Sequence, residues 1–155
     1  MTSTVTAATL TVKITETITL NGSDQGATNT MTIASVNEVM KRIVTCVNGQ
    51  TTTVLTFNSN AYGAAGALDT EDAKYIRLTN LDNTESVEIA VVTGATLYQV
   101  TLRAGESHVL GSPSVCMLAA ASTSPTFGTM ADLASIQVRP TGAATVDIEV
   151  FVAST

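Results

Sequence analysis

The stretch LDTEDAKYIRLTNLDNTESVEI, residues 68–89, decides how the whole chain is read. It holds six acids: Asp69, Glu71, Asp72, Asp82, Glu85 and Glu88. They are either a metal or catalytic cluster or the decorated turns of a β-protein. The residues between them decide it. In KYIRLTNL, Ile76 and Leu78 fall on one side while Arg77 and Thr79 fall on the other. In VEIAVV, Val87, Ile89 and Val91 again share a side. A period of two marks strands with one buried face. Between them, Asp82-Asn83-Thr84-Glu85 is a turn sequence, because Asp and Asn hydrogen-bond their own backbone and tolerate turn geometry. The acids therefore fall on loops and on an outward strand position. A Ca²⁺ loop needs several oxygen ligands converging within one tight turn. Asp69, Glu71 and Asp72 lack the DxDxDG spacing and closing Glu of such a loop. They stand only as weak candidates for a cation or a subunit contact, and no cofactor or metal is expected.

The same period runs through the chain. In TLTVKITETITL, residues 9–20, Leu10, Val12, Ile14, Ile18 and Leu20 alternate with threonines and Lys13, and Glu16 alone interrupts the apolar side. A long strand with that side buried is expected. NGSDQGATNT is rich in turn formers, and MTIAS reads as a short strand or an approach segment. SVNEVMKRIVTCV, residues 35–47, has helical spacing and a possible Ser35/Glu38 capping box, but RIVTCV is β-branched and runs into a turn. Strand is expected from Arg42, with any helix limited to one turn before it. LYQVTLR, HVL, SIQVR and TVDIEVFVA continue the alternation, the last two placing Ile136, Val138, Val146, Ile148, Val150 and Val152 inward. SVCMLAA reads as a buried strand, and NSNAYGAAGALDTEDA and ASTSPTFGTMADLA as long loops. The total is about nine or ten strands with turn signals every 8–12 residues, which predicts an all-β, antiparallel β-sandwich or jelly-roll-like fold with little or no helix. A flexible arm is expected over residues 1–8 and a single domain over 9–155.

Composition narrows the function classes. The 155 residues are only 13% charged, about half the usual share, so the surface is neutral and rich in Thr, Ser and Asn. The net charge of −6 repels phosphate backbones and anionic lipid, so no nucleic-acid or membrane partner is expected. MTSTVTAATL shows no basic-then-apolar leader. Cys46 and Cys116 sit in apolar runs and read as buried free thiols, though adjacent strands could bring them together.

Catalytic constellations are weak. No GxSxG elbow surrounds a serine, and Ser107 and His108, adjacent on a strand, would point to opposite faces. Glycosidase chemistry needs a carboxylate pair in a cleft, and sugar clefts usually carry aromatic platforms that a chain without Trp is poorly equipped to build. AYGAAGAL is not followed by the GK[ST] of a phosphate loop. Asn21-Gly22-Ser23 matches a glycosylation sequon, but without a leader it reads as a turn. The threonine row of residues 9–19 could bind ice only if several strands aligned such rows. Otherwise it is an outward face of high β-propensity, or a strand that pairs with a neighbouring subunit. No catalytic residue is assigned.

The run KYIRLTNLDNTESVEIAV…YQVTLRAGESHVL resembles a segment of the small β-sandwich virion proteins of tailed bacteriophages, of the capsid decoration or cement type. The residues that carry the likeness are Tyr75, Ile76, Leu78 and Asn80, then Leu102, Ala104, Gly105, Glu106 and Ser107. KRIVTCVNGQTTTVLTF upstream and SIQVRPTGAATVDIEVFVA at the end fit it, so it spans roughly residues 38–152. The resemblance implies a non-enzymatic protein on the capsid exterior, made in the host cytoplasm, that binds the major capsid protein as a dimer or trimer. A tail- or fibre-associated module, or an adhesin-like one recognising a glycan or receptor, is the alternative.

Overall fold

The computed structural model describes residues 4–60, 66–94, 96–111 and 129–155. Thirteen strands and no helix occur among them. They are β1 (Ala8–Glu16), β2 (Thr19–Leu20), β3 (Ser23–Asp24), β4 (Ala27–Val36), β5 (Glu38–Cys46), β6 (Thr52–Asn58), β7 (Leu68–Asp69), β8 (Ala73–Asn80), β9 (Val87–Thr93), β10 (Leu97–Leu102), β11 (Ser107–Leu110), β12 (Leu133–Pro140) and β13 (Val146–Ser154). Three of these, β2, β3 and β7, are two-residue ladders. The fold is all-β, as the alternation predicted.

Two sheets enclose the main core. The front sheet has the order β11-β8-β13-β5 and the back sheet β10-β9-β12-β6-β7. All pairings are antiparallel except the short parallel contact of β6 with β7. The inward residues are those the period of two selected: Ile76, Leu78, Val87, Ile89, Val91, Ile136, Val138, Val146, Ile148, Val150 and Val152 are all buried in one cluster. Removing a Val, Leu or Ile side chain from water stabilises by about 1.5–3 kcal/mol, so this layer is the main source of stability. Val54 and Leu55 are buried in succession because the β12–β6 register shifts between Ile136 and Gln137. A β-bulge of this kind turns two neighbouring side chains inward.

Residues 35–47 form no helical turn. β5 begins at Glu38, four residues before the expected start, and Ser35 and Glu38 form no capping box. Ser35 instead has φ 61° and sits at a register shift where two β4 residues, Ala34 and Ser35, oppose the single Thr9 of β1. This bulge bends the chain from β4 straight into β5.

The largest departure is at the N-terminal end. β1 pairs only with β4, in a separate two-stranded ribbon. The side expected to be buried is not: Ile14, Ile18 and Leu20 are 54%, 52% and 59% exposed. The alternation there is real, but among the described residues no second sheet layer covers it. Only the base of the ribbon is packed, where Leu10, Val12, Ile33 and Val36 rest on Tyr75, Phe151 and Ala153 of the front sheet's outer face. The distal end closes through Asn21-Gly22, both in the left-handed region (φ 51° and 79°), as a two-residue hairpin turn between β2 and β3 requires. MTIAS is accordingly part of a ten-residue strand, longer than its sequence suggested.

Candidate interaction surface

Asp69, Glu71 and Asp72 are used locally. The Asp69 Oδ1 accepts the Glu71 N–H at 2.9 Å, and the Lys74 ammonium donates to the Glu71 carbonyl. The Asp72 carbonyl accepts the Thr155 N–H at 3.0 Å, tying the last residue to this corner. Among the described residues no group of three or more His, Cys, Asp and Glu side chains is gathered as a metal site would need. The second acidic turn is likewise an anchor. The Asp82 Oδ1 accepts the Thr84 and Glu85 N–H groups, both at 2.7 Å, and these bonds hold its carboxyl below the usual carboxylate range.

Behind that turn stands the last residue of β8, whose burial its residue type does not announce. Asn80 is fully buried. Its Nδ2 donates to the Glu85 carbonyl at 2.8 Å and the Leu102 carbonyl at 3.3 Å, and its Oδ1 accepts the Asp82 N–H at 3.0 Å. Its backbone bonds Glu106 and Gly105. The side chain thus joins the DNTES turn to the end of β10 while the backbone holds the AGES corner, and this gives a physical reason for an Asn at the end of β8.

Ser107 and His108 diverge as alternation required. Ser107 shares a hydrogen bond with Thr79 at 2.8 Å on the outer face. His108 meets the Tyr98 hydroxyl at 3.2 Å, linking β11 of the front sheet to β10 of the back sheet. Burial of the ring pulls its pKa down. Cys46 is a buried free thiol whose pKa burial pushes up. Cys116, the SVCMLAA segment, part of AYGAAGAL and most of the second long loop lie outside the described residues.

The outer face of the front sheet is more distinctive. Glu149 on β13 bonds Arg77 of β8 at 2.5 Å and Lys41 of β5 at 3.1 Å, and these two partners, Arg77 foremost, lower its pKa. Phe151 sits beside them, edge-on to Tyr75 at 6.0 Å and under the Arg77 guanidinium at 5.9 Å. The ribbon base crosses this patch, leaving a groove of about 320 Å³ between Leu10–Lys13 and Tyr75, Arg77 and Phe151.

The ribbon itself has two unlike faces, fixed by its register. Thr11 lies opposite Thr32, Lys13 opposite Thr30, and Thr15 opposite Thr28. All six are exposed, and Thr15 and Thr28 hydrogen-bond across the strands at 3.3 Å. The other face pairs Leu10 with Ile33, Val12 with Met31 and Ile14 with Asn29. One side therefore offers hydroxyls with a single positive charge, and the other offers aliphatic surface. The back sheet carries a depression of about 150 Å³ lined by Glu88, Gln99, Gln137 and Arg139 among other residues, none of them aromatic.

No family model matches the chain, and neither a curated protein nor a solved structure matches it. The surface must be interpreted from its own chemistry.

Proposed function

We propose that this chain is a virion structural protein without enzymatic activity, and that it decorates the outside of a capsid lattice by binding the major capsid protein. The observation that carries the reading is the threonine face of the ribbon. Five threonines and Lys13 stand on an element that projects from a rigid sandwich. Such a face forms many hydrogen bonds to another protein while desolvating little charge, which suits a contact repeated over a lattice. The low charged fraction and the resemblance of residues 75–107 support the same reading. The aromatic-free depression on the back sheet gives a glycan-binding module no comparable support.

The test is recovery of the purified chain with undecorated capsids. Many copies per particle, lost when Thr11 and Thr30 are both changed to Asp in a chain that still folds, are the expected result. A handful of copies confined to the tail, or full binding by the double variant, would overturn the reading.

A further inference from the structure

We infer that the apolar face of the ribbon docks on the outer face of β5 in a second copy of this chain. Two exposed surfaces lead to this. The first is the ribbon beyond its packed base, where Ile14, Ile18, Leu20 and Met31 are each 42–59% exposed. The second is the outward row of β5, where Val39 and Ile43 are 55% and 60% exposed. β5 is the edge strand of the front sheet, nine residues long and unpaired on its outer side. Edge strands of this length are normally covered or heavily charged. β5 carries Glu38, Lys41 and Arg42, but among the described residues no strand pairs with its outer side.

The two surfaces match in pattern as well as in polarity. The ribbon reads Ile14-Thr-Glu16-Thr-Ile18, one acid between two isoleucines at every second residue. The β5 row reads Val39-Met-Lys41-Arg-Ile43, one cation between two aliphatics at the same spacing. Laid together, the aliphatics cover each other and Glu16 meets Lys41, whose side chain is 59% exposed despite its contact with Glu149. The ribbon base already packs on this same sheet face through Leu10 and Val12. The intermolecular contact therefore repeats a contact that the fold itself makes.

Area separates this arrangement from simple back-to-back stacking of two ribbons. Burying only the four ribbon side chains in each copy removes about 800 Å² from water, the size of an adventitious contact. Including Val39, Ile43 and the stems around them in both copies brings the total to roughly 1,200 Å², the lower bound of a stable interface. The contact joins two different patches, and the total is reached only when a pair of copies exchanges ribbons reciprocally, because a single ribbon-to-β5 contact buries about half of it.

The experiment uses the full chain alone, so its outcome is independent of capsid binding. Sedimentation velocity across a micromolar concentration range is expected to show reversible self-association. Glu16→Lys and Lys41→Glu should each weaken it about tenfold, and the two together should restore it. Ile14→Asp, at an exposed position that leaves the sandwich core untouched, should give a monomer. A wild-type chain that stays monomeric, an Ile14→Asp chain that associates normally, or a charge swap without rescue overturns the inference.

Discussion

Replacing Asn80 by Ala is expected to cost far more than any other single change in the turns. The side chain makes three hydrogen bonds, to Glu85, Leu102 and Asp82, from a site with no solvent exposure. Each is worth about 0.5–1.5 kcal/mol net, and a buried carbonyl left without a donor costs about 1–3 kcal/mol. The Leu102 carbonyl faces Val87 in the β9–β10 ladder and is not orphaned, and Glu85 and Asp82 lie nearer water, so the cost is chiefly that of the three bonds themselves. The sum is about 3 kcal/mol. In a domain of this length each kcal/mol moves Tm by about 2–4 °C, so the shift is roughly 6–12 °C downward. Urea unfolding at neutral pH, with near-UV and far-UV signals followed together, measures it. Asp82→Ala is the control: its carboxylate is solvated, water replaces it, and the loss should be clearly smaller. If Asn80→Ala stays within about 1 kcal/mol of the parent, or Asp82→Ala costs as much, the reasoning about Asn80 as the link between the turn and the end of β10 is wrong.

Glu149→Gln should cost about 1 kcal/mol at neutral pH, since the pair is only partly shielded. The carboxylate's folded pKa lies below its unfolded value, so its contribution is present above about pH 4.3 and disappears as pH falls through the lower folded value. Parent and variant should therefore converge in stability in strong acid, as read from urea midpoints. His108 is the only histidine, so its ring proton signals can be followed by NMR without ambiguity. Its folded pKa should lie below about 6.5, which makes the fold lose stability as pH drops through and below that value, and His108→Phe should flatten the slope. Gly26→Ala should loosen the ribbon alone, because a Cβ there overlaps the Glu16 carbonyl oxygen. Faster amide exchange in β1 and β4, with the sandwich strands unchanged, is the expected result.

The sandwich was legible in the sequence wherever a strand lies between others with one face on the core. Val87, Ile89 and Val91 on β9, and Val146 to Val152 on β13, show this directly, because a buried face and a period of two are the same fact seen twice. The start of β5 was obscured by Val36, Val39 and Met40, whose spacing suits a helix as well as a strand. The bend at Ser35, which settles the matter, is a backbone feature with no marker in side-chain polarity. The double burial at Val54 and Leu55 was hidden for a similar reason, since a bulge breaks the alternation it is read from. Asn80 is placed on a strand by the sequence, and nothing in a single residue type separates an exposed strand-end Asn from a buried one that holds two loops.

β1 is more instructive, because apart from Glu16 its alternation is as regular as that of β13. Leu10 to Leu20 and Val146 to Val152 have the same pattern, yet one is largely exposed and the other buried. Amphipathic alternation states that a strand has an apolar side; it does not state what covers that side. For β13 the cover is the opposing sheet. For β1 it is Tyr75 and Phe151 at the base and, among the described residues, nothing beyond Val12. An isolated two-stranded ribbon is marginal in water, and a run of aliphatic side chains on one adds a liability to aggregate. A chain with few charges has little else to keep such a face apart from others. The pattern and the exposure are reconciled when the missing cover comes from another molecule, and β5, exposed in the same way on the same sheet, is the surface in this chain whose spacing and charge fit it.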